Sequence, residues 1–190
     1  MDTLLLIDAQ AGFAEPGWGP RNNPRAEDRM RALLAAWREA GGPIVHVRHD
    51  SLEPGSPLRA GSRGNAAIAG LEEQAGEAVL RKTVNAGFIG TSLEADLRSA
   101  GADALVIAGI TTDHCVSTTV RMAANLGFRV TLAGDACFTF ARRGTGGETI
   151  PADTVHAVQL ASLDGEFARV ETTEAILATR DVQADQAACP

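Results

Sequence analysis

Short apolar runs alternate with helix-period patterns along almost the whole chain, and that alternation leaves few folds open. Residues 3–7, 43–47, 78–82, 104–108, 129–133 and 168–170 read as strands. Between them, helices are predicted over 24–40, 91–101, 115–126 and 151–164, with a last turn or two over 173–178. In the first helix Met30, Leu33, Leu34 and Trp37 fall at i, i+3, i+4 and i+7, one apolar face, and Gly41 and Gly42 stop it. Pro151 suits the first position of the fourth helix, where its missing N–H is no loss. Alternating strands and helices imply a three-layer α/β domain: an open, mostly parallel six-stranded sheet with helices on both faces. The expected strand order is Rossmann-like, 3-2-1-4-5-6. Residues 1–179 are expected to form one domain and the polar segment 180–190 a frayed tail.

Composition narrows the function. The 190 residues carry a formal charge of -7 and no Lys/Arg cluster. Aromatics make up 4%, and tyrosine is absent. Nucleic acid and anionic membrane surfaces are therefore not expected as partners. No Gly-rich loop matches a dinucleotide or phosphate fingerprint, so no nucleotide cofactor is expected. Three cysteines, Cys115, Cys137 and Cys189, lack disulfide or zinc spacing. A reducing cytoplasm is the expected compartment. The opening MDTLLLIDAQ has no basic region or cleavage site and reads as the first strand.

In an open α/β sheet, function gathers at the carboxyl ends of the strands. Asp8 ends the first predicted strand, Lys82 ends the third, and Cys115 follows the fourth at the start of a helix. Thr112 or Asp113 is placed to cap that helix. The expected order makes strands one and four neighbours, so Asp8 and Cys115 face one another; Lys82 must reach in from further off. Asp8 then suits the base that takes the thiol proton and returns it to a leaving amine. Lys82 supplies positive charge. The helix N-terminus and Lys82 favour thiolate, Asp8 opposes it, and the first pair is expected to prevail. The plainer alternatives are a buried structural cysteine and an ion pair bracing strand ends. Phe13 and Trp18, on the Gly/Pro-rich loop after the first strand, line a pocket or pack on the following helix. The long polar segment 51–70 reads as a lid, a binding loop or an interface arm.

LLIDAQ, RKTVNAGFIGT and GITTDHCVSTT, in that order, resemble the signature segments of the isochorismatase-like cysteine hydrolases. The likeness extends to about residue 178. It implies a catalytic triad of Asp8, Lys82 and Cys115, an oxyanion hole from the backbone N–H groups of Thr111 and Cys115, and a cis peptide between Ile110 and Thr111. Relatives that cleave isochorismate lack the cysteine, so its presence implies hydrolysis of a small-molecule amide through a thioester. The likeness also implies a homo-oligomer. Nicotinamidases of this family bind a metal through histidines after the second strand. Here RHDSLEPGSPLR offers His49 and Asp50 but no later histidine, so no metal is expected. Structural roles are expected for His46 and His49. His114 adjoins Cys115 without facing it, and His156 reads as an ordinary helix residue. Phe13, Trp18, Asn85 and Phe88 are the candidate pocket residues. Rival functions are a non-enzymatic binding or scaffold protein on the same fold, and a thiol redox sensor in which Cys137 resolves Cys115.

Overall fold

The computed structural model describes residues 2–187, with side chains described over 2–180. Six parallel strands form the main sheet: β1 (Thr3–Ile7), β2 (Ile44–His49), β3 (Ala78–Lys82), β4 (Ala104–Ile110), β5 (Arg129–Phe138) and β8 (Arg169–Glu171). Their spatial order is β3-β2-β1-β4-β5-β8, which is 3-2-1-4-5-6 when the main-sheet strands are counted along the chain. Among the described residues five α-helices surround the sheet: α1 (Ala26–Glu39), α2 (Leu93–Ser99), α3 (Ser117–Asn125), α4 (Ala152–Leu163) and α5 (Thr173–Ala187). Among the described residues no helix is long and apolar enough to cross a membrane.

The central strands are apolar on both faces because both faces are covered. In β1, Leu4 and Leu6 join one core cluster, while Leu5 and Ile7 join the other. Alternation places Val106, Ala108 and Ile110 of β4 on the first face and Leu105 and Ile107 on the second. The first cluster is sealed by α1 through the predicted Met30, Leu33, Leu34 and Trp37, all fully buried, and by Ile176 of α5. The second is sealed by Leu93 and Leu97 of α2, Val120 and Ala123 of α3, and Leu163 of α4.

Several boundaries differ from those expected. β5 runs on to Phe138 rather than stopping at residue 133: past an irregularity at Gly134 and Asp135, where the register shifts, it pairs with β4 again through Cys137 and Phe138. The expected loop 139–148 contains an antiparallel hairpin, β6 (Arg142–Arg143) with β7 (Thr149–Ile150). Pro151 stands just before the first residue of α4 rather than within it. The last helix is longer than the one or two turns expected, and the predicted tail 180–190, with Cys189, lies largely outside the described side chains.

One backbone contact sets the spacing beneath the site. Gly109 pairs with Ile7 across β1 and β4 and adopts φ +144°. A Cβ there would lie 2.0 Å from the Ile7 carbonyl oxygen, so only glycine fits. We predict that Gly109→Ala lowers unfolding free energy by about 3 kcal/mol, the upper range of overpacking. Gly17→Ala, where an added Cβ meets nothing within 4 Å, stays within about 0.5 kcal/mol of the parent. Urea unfolding midpoints of the two variants check the contrast.

Candidate active site

Asp8 is the first residue past β1, and its φ of +51° turns the chain sharply out of the strand. This left-handed conformation is uncommon for a residue with a Cβ, and aspartate tolerates it better than most. The Asp8 N–H donates to the Val47 carbonyl at 2.7 Å, which anchors the turn to β2. The side chain is fully buried. Lys82 ends β3, two strands away, and its side chain crosses the end of β2 to reach the same point. Lys82 Nζ donates to Asp8 Oδ2 at 2.7 Å, and both side chains have no exposure. His49, at the end of β2, lies beneath this crossing with Nδ1 3.5 Å from Lys82 Nζ.

Cys115 comes from the other side, after β4. The segment does not enter an α-helix at Cys115 as the sequence pattern suggests. Thr112–Val116 forms a π-helical turn, and α3 begins at Ser117. Single π turns are rare and recur at functional sites. The His114 and Val116 N–H groups both donate to the Thr111 carbonyl, each at 3.2 Å. The Ile110–Thr111 peptide is cis. Neither Thr112 nor Asp113 caps the helix. Thr112 Oγ1 pairs with His156 Nδ1 at 2.8 Å. Asp113 accepts from Thr139 Oγ1 at 2.5 Å and from Arg142 Nε at 2.6 Å.

The Cys115 thiol donates to Asn85 Oδ1 at 3.7 Å and also acts on the Asp8 carboxylate. Asp8 Oδ1 is buried and has no partner of full hydrogen-bond geometry among the described residues. The electrostatics reverse the expected balance. Burial, reinforced by the Asp8 carboxylate, pushes the Cys115 thiol up to about 12, and Lys82 offsets only part of this. The resting side chain is a thiol, not a thiolate. Burial likewise raises Asp8 above the ordinary carboxylate value, against the opposing pull of Lys82. A carboxylate with a raised pKa is a better proton acceptor near neutral pH.

The aromatic candidates fall in two places. Phe13 is buried, with its ring 5.0 Å from Trp18 and 6.3 Å from Phe140; Trp18 is half-buried and donates its indole N–H to the Gly12 carbonyl. Phe88 is buried, stacks on Phe128, and shares a core cluster with Cys115. Asn85 is exposed apart from its contact with the thiol. His46 is buried against Glu77. Cys137 is completely buried, and burial raises it to about 12 as well. Sequence reading missed Arg142 and gave Asp113 and His156 other roles, as a cap and as an ordinary helix residue, because their partners lie on other elements.

At neutral pH iodoacetamide is expected to modify Cys115 more slowly than free cysteine. Asp8→Asn removes the charge that disfavours thiolate and is expected to speed labelling about tenfold. Peptide mass spectrometry over time decides this; wild-type labelling at or above the free-cysteine rate would contradict the reversed balance. A second expectation concerns Asp113. Burial alone would raise its pKa, but Arg142 and Thr139 more than offset that and hold it at about 2. A depressed carboxylate pKa stabilises the fold above the unfolded value near 3.8 and stops doing so as pH falls through 2. Arg142→Met is therefore expected to lose about 2 kcal/mol at pH 7 and little near pH 2, read from urea unfolding at both.

Comparison with known proteins agrees with this architecture. The isochorismatase domain model matches residues 2–175. The crystal structure of an isochorismatase-family protein from Chromobacterium violaceum superposes with a TM-score of 0.90, at 51% identity, over 93% of this chain and 92% of the other. The isochorismatase family protein YrdC of Bacillus subtilis is 38% identical, over 92% of this chain and 93% of its own length. Streptothricin hydrolase of Streptomyces noursei is 36% identical over 74% of this chain, which spans half of that longer protein. Maleamate amidohydrolase of Pseudomonas putida matches at 32% identity over 66% of this chain and 67% of its own length. With the domain match covering nearly its whole length, the chain belongs to the isochorismatase family and is a hydrolase.

Proposed function

We propose that the protein is a cysteine-dependent amidohydrolase that cleaves a small amide through a thioester on Cys115. The observation that carries this reading is the buried Lys82–Asp8 pair, closed at 2.7 Å against the carboxylate on which the Cys115 thiol acts. A carbonyl compound entering beside Cys115 makes the chemistry a sequence of proton transfers. Asp8 takes the thiol proton as sulfur attacks the carbonyl carbon. The Thr111 and Cys115 backbone N–H groups hold the resulting oxyanion. Asp8 then protonates the departing nitrogen, the C–N bond breaks, and a thioester remains. Water attacks that thioester, giving its proton to Asp8, and the acid leaves as the thiol re-forms.

Lys82 keeps this exchange balanced. The Asp8 carboxylate is buried, and its charge is tolerable there because an ammonium is bonded to it. The raised thiol pKa accords with proton transfer that accompanies attack, rather than with a thiolate stored in advance. Phe13, Trp18, Asn85 and Phe88 surround the approach in this reading, with Asn85 the polar member nearest the sulfur.

A panel of small amides, assayed for released ammonia or amine, tests the proposal. Cys115→Ala is expected to abolish turnover with an unchanged circular dichroism spectrum. Asp8→Asn and Lys82→Met are each expected to lower kcat by about a hundredfold or more. Wild-type rates in purified Cys115→Ala, or a Lys82→Met variant that changes only its melting temperature, would refute the mechanism.

A further inference from the structure

The π turn Thr112–Val116 has a sparse backbone ladder, since two of its N–H groups converge on the single Thr111 carbonyl. Side chains hold it from two directions. Thr139 and Arg142 grip Asp113 on one side. On the other, α4 presents His156, whose Nδ1 lies 2.8 Å from Thr112 Oγ1. Thr112 is fully buried and directly follows Thr111. His156 is half-buried, and burial lowers its pKa against the opposing charges of Asp153 and Asp113 and a hydrogen bond with the Gly134 backbone. A neutral imidazole has one bare nitrogen, which accepts a hydroxyl proton.

On the footing of the amide hydrolysis proposed above, we infer that His156 is a positioning residue: its Nδ1 accepts the Thr112 hydroxyl proton and thereby aims the Thr111 and Cys115 N–H groups at the developing oxyanion. His156 touches no reacting atom. It acts through Thr112, whose hydroxyl it meets and whose carbonyl accepts from the Ser117 N–H. An oxyanion donor works only within a narrow distance window, and displacement by about 1 Å lowers rates by about a hundredfold. The oxyanion exists only after attack, so a misaimed turn lowers kcat and leaves ground-state binding little changed.

The test uses His156→Leu, His156→Asn, Thr112→Val and the double variant Thr112→Val/His156→Leu in the full chain. His156→Asn keeps a polar atom near the Nδ1 position, and Thr112→Val keeps the threonine shape. Two readouts are taken: steady-state kinetics on any amide the wild type hydrolyses, and amide hydrogen exchange of residues 114–116 at neutral pH. His156→Leu and Thr112→Val are each expected to lower kcat by about tenfold to a hundredfold, with KM within about twofold. Both should speed exchange of the 114–116 amides while those of β1 and β4 hold their protection. The double variant should be no worse than either single one, because both remove the same bond. His156→Asn should recover most of the protection and most of the rate. Unchanged exchange in both single variants overturns the inference, and so does additive loss in the double. If the wild type hydrolyses no amide, the proposed reaction fails, and the exchange data alone judge whether His156 holds the turn.

Discussion

A carboxylate and an ammonium share a fully buried place at the strand ends, and each is tolerable there only because of the other. Removing one partner of such a pair leaves an uncompensated buried charge, at about 3–5 kcal/mol. Asp8 and Lys82 therefore tie two non-adjacent strands, β1 and β3, across the end of β2. The local backbone serves this junction. Asp8 adopts a left-handed turn to send its carboxylate inward, and Gly109 allows β4 close enough to β1 for the next segment to deliver Cys115. The burial that encloses the pair is also what raises the thiol, with Asp8 adding to the effect and Lys82 opposing it.

The layered fold was legible because its signals are local. Apolar runs and the Met30–Trp37 stripe report burial directly, and strand order follows from parallel crossovers. Asp8, Lys82 and Cys115 could be singled out for the same reason, as unusual residues at the ends of apolar runs. What was hidden depends on contacts between distant segments. Gly134 and Asp135 look like a break, and the ladder with β4 does shift register there, but β5 pairs with β4 again at Cys137 and Phe138. A π turn has no residue periodicity of its own, so Cys115 read as a helix start. The charge balance of the thiol depends on how deeply it is buried, which spacing does not disclose. His156 has an unremarkable helical context, and only its placement against Thr112 distinguishes it.

The turn bearing Cys115 draws support from every layer around it. Its carbonyl anchor follows β4, its acidic side chain is gripped from the end of β5 and the hairpin, and its threonine is met from α4. The loop 51–70 is tied down as well: Asn65 donates to the carbonyls of His49 and Leu58, and Gln10 donates to the carbonyls of His49 and Asn65. In the mechanism proposed above, preorganisation of this kind lets backbone donors act without rearranging during the reaction.

β3 lies at the edge of the sheet, and Lys82 is its one fully buried residue. The preceding residue, Arg81, is also cationic but exposed, and it pairs with Asp50. Successive side chains on a strand point to opposite faces, so slippage by one residue would swap a guanidinium for the ammonium at Asp8. A planar, forked guanidinium does not reproduce the single Nζ–Oδ2 contact made at 2.7 Å. The ion pair thus acts as a ratchet for strand registration: the edge strand, which has little apolar surface to fix its alignment, is clicked into place by the lysine that pairs with Asp8.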